Sequence, residues 1–519
     1  MEACIITPSM AEVYGTQEEF ISLAKRLSYI NEALKFQKKK ISENHWWKKT
    51  NPAGWQAAMD KIEEDSKGCL LFFEPEMEEA WGVNKIFGYG DVAFVRTGSL
   101  AYLDDVKIIR NDIKYPKAKG YKMVNPLPFE LYPYQKEAVQ KLIDVKHGNV
   151  SIATGLGKTA ILIKLTEHYG LKTVIVTPFA SIFRQMLKEF QHHFGKDMVG
   201  GYGDGLKQFK KPITIAVAKS LTTLEKDAYE KDSYEKDLEI YNHFASCEFL
   251  GFDESHLTGA ATLEKICFNV LKNIPYRVFV SGTQLRNDGK DKVLESIIGK
   301  EVIEVSTKIG VDNGYLCNHS FKIVPTAASK NAGVSSDPMT VMREQFLYNE
   351  NIADWIGNFC NAVVTQRNQK VLILISELSQ LYELGKRIKV PFTYATAASK
   401  KDMDLIKFPK KDIAEAIEEF DTNKAQVLIG SSCINTGVNI YSAHHTIGWN
   451  GTGSEITTRQ GVVGRSVRIL ENSKYKDLNP PKPHVHIWDF QVLGIPLLKS
   501  QLMKRIRYYE LSGTPIEWL

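Results

Sequence analysis

Asn149-Val-Ser-Ile-Ala153, then Thr154-Gly-Leu-Gly-Lys-Thr159, then the stretch from Ala160 to His168 decide how this chain is read. The first five residues form a short apolar run of the kind that makes a buried strand. The last nine carry apolar residues at helical spacing. Between them, Gly155 and Gly157 allow the backbone to turn its N–H groups inward at the positive end of the new helix. A strand, a glycine loop and a helix in this order cradle phosphates. Lys158 can reach β- and γ-phosphate oxygens, the Thr159 hydroxyl can ligate Mg2+, and Thr154 and Leu156 complete the loop. Ile152 stands where the strict pattern has its first glycine, which leaves the lysine and the hydroxyl untouched.

Working outward, short apolar runs alternate with helical stretches from about Pro126 onward, the mark of a parallel α/β sheet. One series comprises Asn149–Ala153, Thr173–Thr177, Ile213–Ala218, Phe249–Phe252 and Arg277–Ser281. A second comprises Val371–Ile375, Val427–Gly430, Thr446–Trp449 and Val485–Asp489. Two such series joined near Ser306–Ser320 predict two consecutive α/β lobes, over residues 126–315 and 316–519. Residues 1–125 differ. Helical patterns at Gln17–Phe36 and Pro52–Glu64 and strands at Cys69–Glu74, Asp91–Arg96 and Asp105–Ile109 predict a separate small α+β domain. A Lys- and Pro-rich linker follows near Lys114–Pro128. The segment Glu225-Lys-Asp-Ala-Tyr, Glu230-Lys-Asp-Ser-Tyr, Glu235-Lys-Asp repeats every five residues. That period is neither helical nor strand-like, and it reads as a solvated insertion.

Phe249–Phe252 delivers Asp253-Glu-Ser-His256 to the carboxyl end of a strand, the edge where α/β sheets bind ligands. Asp253 can hold Mg2+ through water, and Glu254 can orient and deprotonate an attacking water. Thr154–Thr159, Asp253–His256, Ser281-Gly-Thr283 and Gln460–Arg468 occur in the order and spacing of four signature motifs of superfamily 2 helicases, and the chain resembles that family over roughly residues 126–490. The resemblance implies ATP and Mg2+ as cofactors and two RecA-like lobes. It further implies Gln135, in Leu131-Tyr-Pro-Tyr-Gln135, as the adenine reader, with Tyr132 or Phe129 stacking on the ring. His256, Ser281 and Thr283 would link ATP to motion. Pro178, Arg184 and Gln185 would meet the nucleic-acid backbone after the second strand, and Lys219 and Ser220 after the third. In the second lobe Thr436 and Gly437 would do the same, although Asn439 replaces the family's usual acidic residue. Gln460, Arg465 and Arg468 match the family's Gln-x-x-Gly-Arg-x-x-Arg. Two arginines three apart share a helix face and, by resemblance, neutralise the γ-phosphate from the opposite lobe. ATP would thus favour a closed pair of lobes and hydrolysis would release it, stepping the protein along a strand.

Asp-Glu-Ser-His in place of Asp-Glu-Ala-Asp, with Arg286-x-Asp288-Gly289 behind Thr283, resembles the DNA-directed members: UvsW-like phage branch-migration helicases, XPB-type translocases and type III restriction motors. Chain size and the small N-terminal domain favour the UvsW-like group, whose substrates would be forks, D-loops or Holliday junctions. In the N-terminal domain, Trp46, Trp47, Lys48 and Lys49 place stacking rings beside phosphate-binding charge. Lys499, Lys504, Arg505 and Arg507 form a second basic cluster on the C-terminal helix. The alternatives are a DExH RNA helicase and, in another class, an ATP-gated factor that binds junctions without unwinding them.

Composition sets the frame for these readings. Hydrophobic residues make up 43% and charged residues 24% of the chain, ordinary for a globular protein with a sizeable core. The net charge of +5 rests on 66 basic and 61 acidic residues, so nucleic-acid contact must come from a local groove. No apolar run approaches the roughly 20 residues that span a bilayer. The first residues lack the basic and apolar regions of an export signal. Seven cysteines include no Cys-x-x-Cys pair, so neither disulfides nor structural zinc are expected, and a reducing cytoplasm is, the host's if the protein is a phage's.

Overall fold

A computed structural model describes the 519-residue chain except residues 31–37, 39–40, 43–44, 66, 73–91, 225–233, 283–290, 334, 435–439, 452–462 and 512. The chain divides into two compact units. The first comprises Met1–Ile152 and Lys158–Glu304, the second Ala153–Gly157 and Val305–Leu519.

The first unit begins with a five-stranded sheet and a separate two-stranded one. The strands are β1 (Glu2–Ile5), β2 (Met10–Tyr14), β3 (Ser28–Ile30), β4 (Lys67–Cys69), β5 (Leu71–Phe72), β6 (Val92–Arg96) and β7 (Lys107–Asn111), ordered β5-β6-β2-β1-β7 with β3-β4 apart. Alternation makes β2 half-buried, with Ala11 and Val13 inward. Helix Gln17–Leu27 starts at a capping box, in which Glu19 N donates to Thr16 Oγ1 at 3.3 Å and Thr16 N to Glu19 Oε2 at 2.8 Å. It buries Phe20, Leu23, Ala24 and Leu27, a single helical stripe.

The helical reading of 17–36 overshoots. The helix ends at Leu27, where the stripe ends. Ser28 turns extended with its Oγ on Ala24 O, and Ser28–Ile30 pair with Lys67–Cys69; residues 31–36 lie outside the described ones. The strand expected at Cys69–Glu74 is two short ones, β4 and β5, with residues 73–74 outside the described residues. Part of the Lys- and Pro-rich linker is tied down rather than free. Lys119 N and Gly120 N reach Tyr169 O, Tyr121 N reaches Glu167 O at 2.8 Å, and Val124 N reaches His193 O at 2.7 Å.

The second sheet of this unit contains β8 (His147–Ile152), β9 (Thr173–Thr177), β10 (Val199–Gly203), β11 (Leu206–Lys207), β12 (Ile213–Val217), β13 (Phe249–Asp253), β14 (Tyr276–Ser281) and β15 (Lys300–Val305), in the order β11-β10-β12-β9-β13-β14-β8-β15. From β10 to β8 every pair is parallel. β9, β12, β13 and β14 are buried along their whole length, which is why they read as unbroken apolar runs. Gly251 in β13 is required by close approach: a Cβ there would stand 2.6 Å from Ile175 Cδ1 and 3.0 Å from Leu162 Cδ2. Helix Lys158–Tyr169, which carries Leu162, therefore settles directly on β13.

The second unit is built on β16 (Asn318–Thr326), β17 (Val371–Ile375), β18 (Phe392–Ala395), β19 (Val427–Gly430), β20 (His445–Trp449), β21 (His484–Val492) and β22 (Ile516–Trp518), ordered β18-β19-β17-β20-β21-β16-β22 and parallel throughout. The C-terminal helix Pro496–Leu511 corrects one sequence expectation. Lys499, Lys504 and Arg507 are exposed, but Arg505 is 5% exposed and forks onto Asp489, Nε to Oδ2 at 2.6 Å and Nη2 to Oδ1 at 2.9 Å. The helical period explains it, since Leu498, Leu502, Arg505, Ile506 and Tyr509 share the buried face. Among the described residues, no helix is long and apolar enough to cross a membrane.

Candidate nucleotide site

The sheet order sets β13, β14 and β8 side by side. Asp253 ends β13, Ser281 ends β14 and is level with Ser151 of β8, and Lys158 opens the helix that follows β8. Three separate stretches of sequence therefore meet at one carboxyl edge, the edge at which such sheets bind ligands.

The loop itself has the expected backbone. Gly155 and Gly157 have φ of 94° and 74°, a region open to glycine and strained for other residues. Thr154, just before the first glycine, and Leu156, between the two, are buried, with Leu156 N on Ala153 O at 3.3 Å. Within the second unit, the Cγ of Arg468 lies 3.4 Å from where a Cβ on Gly155 would stand. Thr159 is half-buried in the first turn of its helix.

Lys158 is 8% exposed, and its Nζ donates to Ile152 O at 3.3 Å and pairs with Glu254 Oε1 at 3.0 Å. The other oxygen of Glu254 accepts from Gly282 N at 3.3 Å and lies 3.5 Å from His256 Nδ1. His256 in turn shares a short hydrogen bond with Ser281 Oγ, and its side chain is fully buried. Glu254 holds this position at φ 47°, a left-handed conformation that costs a non-glycine residue about 1–3 kcal/mol and clusters at functional sites. The four side chains form one line from the phosphate loop to the end of β14.

Asp253 stands beside them. It is 6% exposed, and its Oδ1 is buried with no hydrogen-bond partner among the described residues. Burial, then the neighbouring Glu254 carboxylate, push its pKa up to about 7, against the pull of Lys158. An orphaned carboxylate oxygen that a cation would stabilise, at the sheet edge where the helix carrying the Thr159 hydroxyl begins, suits a hard ion such as Mg2+. Asp253 and Thr159 fit that ion.

The remaining expectations are distributed as follows. Gln135 is buried, and its Oε1 accepts from Tyr132 N at 2.9 Å in a box that opens helix Pro133–Val145. The Tyr132 ring stacks on Tyr134 at 5.9 Å, and Phe129 is exposed. Pro178 follows β9. Arg184 and Gln185 lie on helix Ala180–Phe194, and Lys219 and Ser220 on helix Ala218–Thr222 after β12. All therefore follow the same carboxyl edge as the nucleotide residues. Arg184 is paired with Asp204. Lys48 lies 4.5 Å over the Trp55 ring, and Lys49 is exposed. Arg468 lies 5.7 Å over Tyr441. Arg465 falls in the short helix Gly464–Ser466; its side chain and those of Trp46 and Trp47 lie outside the described residues. So do Thr283, Arg286, Asp288, Gly289, Thr436, Gly437, Asn439 and Gln460.

Sequence reading missed Lys482. It is 1% exposed, and its Nζ donates to Tyr441 O and, at 3.0 Å, to Ser466 O, so it pins the segment that carries the two arginines. Burial lowers its pKa to about 8. The only local signal is a lysine set between prolines, Pro480-Pro-Lys-Pro483.

Comparison with known proteins agrees with this geometry. Residues 128–285 match the family model of the type III restriction enzyme res subunit. The DNA 3'-5' translocase XPB2 of Sulfurisphaera tokodaii is 22% identical over 399 residues, which is 67% of this chain and 82% of that protein. The DNA 3'-5' helicase XPB of Kineococcus radiotolerans is 26% identical over 188 residues, 36% of this chain and 32% of that one. The crystal structure of T4 UvsW aligns over 100% of this chain and 99% of its own at 14% identity and a TM-score of 0.39. Residues 128–285, which carry Lys158, Asp253, Glu254 and Ser281, thus resemble the motor domains of superfamily 2 helicases, and the chain is an NTP-dependent enzyme.

Proposed function

We propose that this protein is an ATP-driven DNA helicase or translocase that works on branched DNA: forks, D-loops or Holliday junctions. The observation that carries the reading is the line Lys158–Glu254–His256–Ser281 at the carboxyl edge of the first unit. It links a phosphate-binding lysine to the end of β14, and Pro178, Arg184 and Lys219 follow strands ending at that same edge. The naming of relatives as DNA translocases supports DNA over RNA. The Arg286-x-Asp288-Gly289 sequence and the aromatic-basic stretch Trp46–Lys49 support a branched substrate.

In this reading the phosphate loop and Lys158 bind the triphosphate. Bound at Thr159 and Asp253, Mg2+ would neutralise phosphate charge. Lys158 cannot serve the γ-phosphate and Glu254 equally, so ATP draws Lys158 away and leaves Glu254 to take the proton of the attacking water. Gly282 N and His256, already in contact with Glu254, report that change to β14. Arg465 and Arg468 supply positive charge to the phosphate as it leaves, and Gln135 reads the adenine. Contacts to sugar and phosphate rather than bases imply weak sequence preference and a strong salt dependence. The place of action is the cytoplasm, the host's if the gene is viral, in replication, recombination or repair.

The test compares steady-state ATPase activity of the full chain with single-stranded, duplex and forked DNA and with RNA, beside fork-unwinding and branch-migration assays. Forked DNA is expected to stimulate most and to be remodelled. Equal stimulation by RNA without action on forks overturns the reading in favour of an RNA helicase. Tight fork binding without hydrolysis overturns it in favour of a clamp.

A further inference from the structure

Arg96, the last residue of β6, is a buried cation of the N-terminal sheet whose partners lie on two helices of the nucleotide-binding sheet. It is 5% exposed. Its Nη2 donates to Glu264 Oε1 on helix Ala260–Lys265, in a short ion pair. Its Nη1 donates to Ser296 Oγ on helix Asp291–Ile298 at 3.2 Å. The guanidinium lies 4.7 Å over the Phe268 ring.

Stability alone does not call for arginine at this place. Removing a guanidinium from water is costly, and a well-packed apolar side chain commonly does as well or better than a buried ion pair. A rigid planar fork adds something an apolar residue cannot: it fixes the direction of, and the distance between, the two groups it joins. Here those groups sit on particular helices. Ala260–Lys265 is the helix that follows Asp253–His256, and Asp291–Ile298 is the helix that follows Ser281-Gly282. The His256–Ser281 hydrogen bond joins these two stretches at the site, and Arg96 joins them again farther along. The surrounding fit is tight. A Cβ on Gly98 would stand 2.3 Å from Ser296 O, and Lys292 Nζ reaches Arg26 O at 2.5 Å and Ser28 O at 3.0 Å. The N-terminal sheet is thereby attached to both helices.

We propose that Arg96 is a positioning residue for hydrolysis, which holds the connectors behind Glu254 and Ser281 in one register and makes the N-terminal sheet part of the ATPase machinery. The inference rests on the motor reading above, and the experiment separates the two. In the full chain, Arg96→Lys, Arg96→Met and Glu264→Gln are compared with wild type for ATPase kcat and KM, for fork affinity and for thermal midpoint. In Arg96→Met and Glu264→Gln, kcat with saturating forked DNA is expected to fall roughly ten- to a hundredfold, as small misplacements of reacting groups do. KM for ATP and fork affinity should stay within about twofold, a loss confined to the transition state. Arg96→Lys, which keeps the charge, should recover part of kcat. Folded variants with unchanged kcat overturn the proposal, and so does a kcat that falls only in step with the folded fraction. Should Arg96→Met fail to fold, Glu264→Gln, whose side chain is partly exposed, and Arg96→Lys decide. A wild type that DNA does not stimulate would strike the motor reading instead, and the positioning role is then judged on the unstimulated kcat.

Discussion

Replacing Asp489 by asparagine isolates the pair that corrected the sequence reading of the C-terminal helix. Asp489 and Arg505 are 3% and 5% exposed. The carboxylate accepts four hydrogen bonds, from Arg505 Nε at 2.6 Å, Arg505 Nη2 at 2.9 Å, Tyr509 Oη at 3.0 Å and Phe490 N at 2.8 Å. Asparagine keeps the shape and one acceptor, but it removes the charge and turns the other oxygen into a donor facing a donor. A buried guanidinium left without its anion costs about 3–5 kcal/mol, a large share of the roughly 5–15 kcal/mol that holds a domain folded.

The assay is amide hydrogen exchange of peptides covering β21 and helix Pro496–Leu511, which reads the opening free energy of that region directly. The stated cost corresponds to a loss of protection of about two to four orders of magnitude, tenfold for each ~1.4 kcal/mol. Changing Asp489 to Leu, Arg505 to Met and Tyr509 to Phe together removes every charged and hydroxyl group of the network, and should restore most of that protection. A loss below about tenfold in the single variant, near 1.4 kcal/mol, would refute the reasoning, because it would mean that water or another anion reaches Arg505.

Three further outcomes follow from the same geometry. Lys158→Ala should lower ATPase kcat by on the order of 10²–10³-fold, the usual loss when one electrostatic contact to developing charge is removed, while fork binding persists in a filter assay. Glu254→Gln, which keeps an acceptor for Gly282 N, should lower kcat by about 10²–10⁴-fold, and retained hydrolysis would disprove its role as base. Stability should fall as pH drops from about 6.5 to 4. Burial lowers the pKa of His147, His319 and His444 from 6.5 to about 4 and that of His445 to about 3, so in this window these four sites bind more protons in the unfolded chain than in the folded one and outnumber Asp253, whose raised pKa acts in the opposite sense. For His147, half-buried at the start of β8, the shift amounts to about 3 kcal/mol, at ~1.4 kcal/mol per unit, and denaturant midpoints that are flat between pH 7.5 and pH 4.5 would contradict it.

What the sequence made legible is what neighbouring residues determine. β9, β17 and β19 coincide with the apolar runs that foretold them, because a strand buried on both faces needs no distant information to be recognised. Lys158, Asp253 and Ser281 were legible because glycine turns and strand ends mark them locally. The fates of Leu27, Arg505 and Arg96 were not. Each is set by a partner that the periodicity of its own segment does not contain: β4 for the helix end, Asp489 for Arg505, Glu264 and Ser296 for Arg96.

The same distinction sharpens the reading of Glu254. In sequence it is a base beside a metal ligand. In the structure it is a carboxylate held at a strained backbone angle between Lys158, Gly282 N and His256. In the proposed function, a base paired with the lysine that binds phosphate is restrained until phosphate arrives, and contacts on both carboxylate oxygens support the backbone at φ 47°. On that reading, release of the lysine by an arriving triphosphate is passed outward through His256 to Ser281, whose following helix Arg96 joins to the helix behind Glu254.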